Sequence, residues 1–182
     1  MGMNIDLTRN YFELFGMAES FAIDQEQLSE KYRAFQSELH PDRFANAGDQ
    51  ERRISVPTTA YVNQAYNTLK NNLKRAHYLL ELSDVELDAD TETSSDAEFL
   101  MQTMELHEQV EEVGSAKSPL DVLDSLSKQL KKQQQDLTSE FATQFSASEL
   151  NAAKDTALKL QFYERLTNQV RKKQEQFEED LI

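Results

Sequence analysis

A bend at His40-Pro41-Asp42 constrains the fold of this 182-residue chain more than any other feature of its sequence. Proline fixes its own φ angle and disfavours a helical conformation for the residue before it, so a helix that includes Leu39 has to end there. A second helical stretch follows a short loop. We therefore expect a helical hairpin whose rigid bend presents the His40 ring and the Asp42 carboxylate.

The composition favours helices throughout. The chain has only 4 glycines and 3 prolines and no tryptophan, while leucine, glutamate, glutamine, lysine and alanine are abundant. These residues have high helix propensity, and the scarcity of turn residues argues against an all-β fold. We predict an all-α protein that is long enough to form two small domains.

Charge and cysteine usage disfavour several classes of function. With 19 basic and 33 acidic residues the formal net charge is -14, which repels nucleic acids and anionic membrane surfaces. The absence of cysteine excludes disulfides, thiolate metal sites and cysteine nucleophiles, and it fits a reducing compartment. We recognise neither a signal peptide nor an apolar stretch of about 20 residues that would span a bilayer. The expectation is a cytoplasmic protein with no nucleic-acid partner and no membrane partner.

Four helices are predicted in the first 82 residues. Gly16 is placed to end the first with a positive φ angle, and Asp24 is suited to cap the second, whose apolar residues recur at helical spacing as far as Leu39. Pro57 interrupts the third helix, which either kinks there or begins near that residue. The predicted helices cover residues 10–15, 25–39, about 54–69 and 73–82.

Residues 83–95 are rich in carboxylates and poor in apolar side chains, so we interpret this segment as a solvated linker. Three long periodic segments follow, separated by Gly114-Ser115 and by residues 146–148, with Ser118 and Ser148 as candidate N-caps. Connections this short make neighbouring helices antiparallel. The sequence thus predicts a first domain over residues 1–82 and a three-helix bundle over residues 96–182.

The first bundle helix carries two apolar arcs instead of one. The first arc comprises Phe99, Leu106, Val110 and Val113. The second arc comprises Leu100, Met101 and Met104, and it is continued along the helix by Glu105, Glu108 and Glu112. A helix in a three-helix bundle buries one side, so the second arc either faces a partner protein or is covered by the first domain. Phe162 lies away from the apolar line of the last helix and can extend the same patch.

His40 and Asp42 invite an acid–base interpretation, but the sequence offers no nucleophile or metal site beside them. It contains neither the Glu-x-x-His pairs of di-iron bundles nor a His-x-x-x-His pair, and it has no glycine-rich phosphate loop. A small hydrolase is therefore disfavoured. We predict no catalytic residues, no metal and no cofactor, and a bend built to grip a protein surface.

Five segments carry a family resemblance. They read YFELFG at residues 11–16, HPDRF at 40–44, NQAYNTL at 63–69, LKRAHYLL at 73–80 and FLMQTME at 99–105. The first three resemble a J-domain. Together with the last two they resemble the HscB family, the J-domain co-chaperones of bacterial iron-sulfur cluster assembly, over essentially the whole chain.

The resemblance implies a non-enzymatic partner of HscA, a specialised DnaK-type ATPase, that delivers the cluster scaffold protein IscU to it. It assigns the ATPase contact to the bend and its flanking basic residues, namely His40, Pro41, Asp42, Lys31, Arg33 and Arg43. It assigns scaffold binding to the second arc and its neighbours, namely Leu100, Met101, Met104, Glu105, Glu108, Glu112 and Phe162. The alternative is a general J-domain co-chaperone with a different client.

Overall fold

The computed structural model of this chain describes residues 6–40, 49–88 and 92–180, and it describes only the backbone of residues 49–54. Within these ranges the chain forms helices joined by turns and contains no strand, as the composition predicted. It divides into two compact units, Met1–Leu82 and Ser83–Ile182. Each unit has its own apolar core.

The described part of the N-terminal unit contains four helices: α1 (Tyr11–Leu14), α2 (Gln25–Glu38), α3 (Asp49–Lys70) and α4 (Asn72–Leu82). Helix α2 begins as predicted, because the Asp24 carboxylate accepts hydrogen bonds from the backbone N–H groups of Glu26 and Gln27. Gly16 has a φ angle of +54° at the end of the first short helix, as the sequence indicated. Helices α2 and α3 pack as a hairpin, and both α1 and α4 pack against α3. The most deeply buried large side chains of this unit are Phe12, Phe15, Leu28, Val62, Leu69, Leu79 and Leu80.

Pro57 lies inside α3, so the interpretation in which this helix begins near the proline is wrong. The helix begins at Asp49, two turns earlier. Proline has no backbone N–H to donate to the carbonyl four residues before it, and α3 therefore continues without that hydrogen bond.

The C-terminal unit is built from three long helices: α5 (Ala97–Glu112), α6 (Pro119–Ser146) and α7 (Leu150–Glu179), with a 3₁₀ turn over Val113–Ser115. Helices α6 and α7 form the main antiparallel pair, and α5 packs against α7. The side chains that α6 contributes to the core are Leu123, Leu126, Leu130, Leu137 and Phe141. The architecture predicted from the sequence, a helical hairpin domain followed by a three-helix bundle, is confirmed.

Two predicted helix caps differ in the structure. Ser148 does not cap α7: it has a φ angle of +60°, Glu149 occupies the N-cap position, and the helix begins at Leu150. Ser118 does precede α6, but its side chain makes no capping hydrogen bond. Pro119 at the first position fixes the start of that helix instead, since proline is favoured there.

Residues 92–95 contact the bundle, although the sequence indicated a solvated spacer. Glu92 forms an ion pair of 2.8 Å with Lys154 of α7, and Ser94 is buried. Asp96, at the end of this segment, caps α5 and lies 2.7 Å from the ammonium of Lys159. The lysines that hold the segment lie about 60 residues further along the chain, so local charge could not reveal them. Residues 89–91 lie outside the described part of the chain.

None of the helices in the described ranges is long and apolar enough to cross a membrane.

Candidate functional site

The first candidate surface lies where α2 ends and the predicted bend begins. Helix α2 ends at Glu38, and the backbone N–H of Leu39, its C-cap residue, donates to the carbonyl of Phe35 at 2.8 Å. His40 follows and is exposed. Pro41, Asp42 and Arg43 lie outside the described residues. The end of the hairpin carries a shallow groove lined by Gln36, Leu39, His40, Thr59, Val62 and Asn63.

The two basic residues of α2 assigned to this surface differ in their contacts. The ammonium of Lys31 donates to the carbonyl oxygens of Phe15 at 2.5 Å and Gly16 at 3.2 Å, so it caps the end of α1 and is half-buried. Arg33 is exposed, and its Nε donates to the carbonyl of Ser29 at 3.3 Å. The guanidinium of Arg33 is therefore the more available cation of the two.

The second candidate surface is the face of α5 that does not enter the core. The first predicted arc is buried, with exposed fractions of 8% for Phe99 and 4% for Leu106. The second arc faces solvent, since Leu100 is 40% exposed, Met101 66% and Met104 72%. Three adjacent large apolar side chains are thus exposed on one helix face. These side chains are therefore not part of the core of the C-terminal unit.

Carboxylates extend this exposed face towards the end of α5. Glu105, Glu108 and Glu112 are all exposed, and the face from Leu100 to Glu112 is about 18 Å long at the helical rise per residue. Glu111, which the sequence interpretation omitted, also belongs to it. Glu111 lies two turns after Met104 and three turns after Leu100, so the helical spacing that identified the other residues would also have identified it.

Phe162 borders the exposed face from α7. Its ring is half-buried and meets Phe99 edge-on at a centroid distance of 5.5 Å and His107 at 5.4 Å. His107 lies two turns after Leu100, so these contacts place Phe162 beside the Leu100 edge of the face. We call Leu100, Met101, Met104, Glu105, Glu108, Glu111, Glu112 and Phe162 the α5 face from here on.

No group of three or more histidine, aspartate or glutamate side chains in the described residues is placed to hold a metal ion. The α5 face combines adaptable apolar side chains with carboxylates, which is a combination typical of protein recognition.

Comparison with known proteins shows which family this chain belongs to. A family model described as the HSCB C-terminal oligomerisation domain matches residues 95–171. A protein of Shewanella loihica named co-chaperone protein HscB homolog is 39% identical over 160 residues, which is 86% of this chain and 92% of the relative. This chain belongs to the HscB family of co-chaperones. The match to HscB homologues covers both units of the chain.

Solved HscB structures have the same fold. The chaperone HscB from Vibrio cholerae is 38% identical, with a TM-score of 0.82 over 92% of this chain and 99% of that one. The crystal structure of human co-chaperone protein HscB is 29% identical, with a TM-score of 0.85 over 92% of this chain and 83% of that one. An HscB-type J-domain followed by an HscB-type helical bundle therefore accounts for the architecture.

Proposed function

We propose that this chain is a two-site adaptor of iron-sulfur cluster assembly in the bacterial cytoplasm. Its J-domain stimulates the ATPase of a DnaK-type chaperone, HscA, and its bundle delivers the scaffold protein IscU to that chaperone. The chain supplies contacts and positions its partners, and HscA carries out the ATP hydrolysis. The observation that carries the proposal is the exposed α5 face within a chain of the HscB family.

The apolar part of the α5 face supports a protein ligand. Leu100, Met101 and Met104 leave more apolar surface in water than the interior-facing residues of the same helix. Removing that surface from water on binding contributes about 25 cal/mol for each Å². Methionine adapts its shape to a partner at little cost, because its side chain is unbranched and polarisable.

The charged part of the α5 face supports a basic ligand. Glu105, Glu108, Glu111 and Glu112 are exposed within two helical turns of one another. Like charges at this spacing repel one another, and a partner with lysine or arginine opposite them relieves the repulsion. Such complementarity steers the encounter and fixes the orientation of the scaffold on the helix.

The bend at the end of α2 supports the ATPase contact. His40 is exposed there, and Asp42 and Arg43 follow it in the sequence. We assign to His40, Pro41 and Asp42 the contact that triggers hydrolysis, with Arg33 as the adjoining cation. Lys31 contributes less in our proposal, because its ammonium is occupied by the carbonyls of Phe15 and Gly16.

Having both sites on one chain explains why an adaptor is useful. When the J-domain is bound to HscA, the scaffold held by the bundle is confined near the same chaperone. A second contact made within one assembly has an effective concentration in the millimolar range when the connection is short. Hydrolysis then traps the scaffold that is already present.

Single-turnover ATP hydrolysis by purified HscA tests the proposal. We expect this protein to stimulate hydrolysis, and to do so more strongly when IscU is present. Asp42→Ala is expected to abolish both effects. Combined Leu100→Ala and Met104→Ala is expected to keep the basal stimulation and lose the dependence on IscU, because only the α5 face is changed.

Leu82→Ala is the matched control for the α5 variant. Leu82 is 37% exposed, close to the 40% of Leu100, and lies at the end of α4. Leu82→Ala should lower neither the basal stimulation of HscA nor its increase in the presence of IscU. Equal stimulation by unrelated client peptides would favour a general J-domain co-chaperone, and turnover of a substrate by this protein alone would favour a hydrolase.

A further inference from the structure

Basic side chains are concentrated at one level of the α6–α7 pair. Residues 125–133 of α6 and 165–173 of α7 contain no carboxylate. A chain with a net charge of -14 therefore carries a positively charged zone on its bundle. We call the seven basic residues of these two stretches the basic zone, namely Lys128, Lys131, Lys132, Arg165, Arg171, Lys172 and Lys173.

Two cross-helix hydrogen bonds show that the two stretches lie side by side. Nε2 of Gln134 donates to Oε2 of Glu164 at 3.2 Å. Nε2 of Gln174 donates to Oδ1 of Asp124 at 3.1 Å. Because the helices are antiparallel, the two stretches between these bonds face each other, and the basic zone is about 12 Å long at the helical rise per residue.

The central cations of the zone lie on the side of the pair that points away from α5. Arg171 is two turns after Glu164, and Lys131 is two turns after Asp124, so both lie on the edge that carries the cross-helix hydrogen bonds. Phe162, whose ring contacts α5, is two residues before Glu164 and therefore about 200° away around α7. A partner on this edge can bind while the α5 face is occupied.

The lysines of the zone are not neutralised within the described part of the chain, where none of them forms an ion pair. Arg171 pairs with Glu175 at 3.9 Å, but the two side chains are 66% and 63% exposed, and such a pair contributes little. Lys128 and Lys132 are exposed one helical turn apart, so their charges repel each other. An anionic partner relieves that repulsion.

The ends of the zone favour a short acidic segment over an extended polyanion. Asp124 and Glu175 lie at one end, and Asp136 and Glu164 lie at the other. DNA carries one negative charge per about 1.7 Å of its axis, so a nucleic acid continues past the zone and meets these carboxylates. A membrane surface extends further still. An extended peptide of about four residues spans about 13 Å and fits between them.

Amide side chains beside the central cations favour a polypeptide. Gln135 lies one turn after Lys131, and Asn168 lies one turn before Arg171. An amide group both donates and accepts hydrogen bonds, so it can pair with the N–H and C=O groups of a peptide backbone. The zone thus offers cations for carboxylates and amides for the backbone that carries them.

We propose that the basic zone is a docking surface for a short acidic segment of a partner protein, with Lys131 and Arg171 as its central cations. This surface is separate from the α5 face and adds a third contact to the two of the proposed function. A protein that docks here is carried by the same chain as the ligand of the α5 face.

Binding of a short fluorescent peptide with a run of glutamates tests the inference by anisotropy. The wild type should bind this peptide and should not bind the counterpart in which glutamines replace the glutamates. Combined Lys131→Glu and Arg171→Glu is expected to raise the Kd about tenfold, because both central cations become repulsive. The shift should shrink at high salt, since screening weakens the interaction.

Combined Lys74→Glu and Lys117→Glu changes the net charge equally at exposed lysines outside the zone. It should raise the Kd less than about twofold. Urea unfolding verifies that both double variants are folded. If the two double variants weaken binding equally, the peptide responds to net charge alone and the docking surface is overturned.

Other outcomes would assign the zone to a different partner and overturn the proposal. One is binding of oligothymidylate or of phosphatidylserine vesicles that is tighter than that of the peptide and is lost with Lys131→Glu and Arg171→Glu. Another is self-association in sedimentation velocity that the same variant abolishes, which would indicate a second copy. Displacement of the peptide by excess IscU would place the zone in the scaffold site. These measurements do not involve HscA, so failure of its stimulation would leave the docking surface standing.

Discussion

Arg75 carries its charge inside the N-terminal unit, where it is only 4% exposed. Its Nε donates to the carbonyl of Phe21 at 2.8 Å, and its other nitrogens donate to the carbonyl of Leu69 and to Oδ1 of Asn72. The guanidinium also lies 4.7 Å from the centre of the Phe21 ring. Burial lowers the pKa of Arg75 to about 10, which leaves it charged at neutral pH.

Arg75→Met tests whether these contacts stabilise the fold. The substitution leaves the carbonyls of Phe21 and Leu69 buried without their donor, and we expect a loss of about 3 kcal/mol in the free energy of unfolding. Urea denaturation measures it. Lys74→Met, which changes an exposed neighbour, should cost less than about 0.5 kcal/mol. A similarly small loss of unfolding free energy for Arg75→Met would mean that the hydrogen bonds of the guanidinium only offset the cost of burying its charge.

Sequence reasoning did not identify Arg75, because nothing in its neighbourhood distinguishes it from an exposed basic residue. Its main acceptor, the carbonyl of Phe21, lies 54 residues earlier. Lys31 presents the same difficulty, since the family resemblance assigned it to the ATPase contact but could not reveal the carbonyls that its ammonium reaches. Periodicity indicates which helix face a residue occupies. The side chain of a lysine or arginine is long enough, however, to place its charged group away from that face.

At the scale of elements, helix faces and the breaks between the bundle helices were predictable, whereas the long-range contacts of the segment before α5 were not. The two arcs of α5 were assigned from a rotation of about 100° per residue, and the burial of Phe99 and the exposure of Met104 agree with that assignment. Asp24 was identified as a cap because capping is local. The segment before α5 was misinterpreted since Lys154 and Lys159, which hold it, are distant in the sequence.

Asp96 joins that segment to α7 and makes the attachment dependent on pH. The hydrogen bond from Lys159 is the largest cause that lowers the pKa of Asp96, and the backbone N–H of Phe99 adds to it. Burial opposes the charge on Lys159, but hydrogen bonds to Asp96 and Asp155 raise its pKa overall. The Asp96 carboxylate therefore contributes stability above its unfolded pKa of 3.8, and this is lost as pH falls through its lowered folded pKa.

Asp96→Asn isolates this ion pair. Asparagine caps a helix about as well as aspartate, so α5 keeps its start while the charge opposite Lys159 disappears. We expect the variant to be less stable than the wild type near pH 7 and the difference to shrink at an acidic pH below 3.8. Urea unfolding at both pH values measures this. Asp136→Asn on the exposed side of α6 is the control, and its difference in stability from the wild type should not shrink in acid. If Asp96→Asn remains less stable than the wild type in acid, the loss comes from weaker capping of α5.

At the scale of the whole molecule, the proposal depends on two sites that act through one chain. The sequence assigned both sites through the family resemblance, and for the α5 face the periodicity of the helix led to the same residues. The structure adds that Leu100, Met101 and Met104 lie outside the core of the bundle, where the pattern alone left open whether a partner or the first domain covers them.

Mixing two complementary variants tests the linkage. Asp42→Ala keeps an intact α5 face, and combined Leu100→Ala and Met104→Ala keeps an intact bend. If the adaptor works by confining the scaffold near the chaperone, each site has to be on the same chain. We therefore expect an equimolar mixture of the two variants to stimulate HscA only to the level that is independent of IscU. Recovery of the full response to IscU in the mixture would contradict a tethering role, because the free bundle would then have primed the scaffold without bringing it to the chaperone.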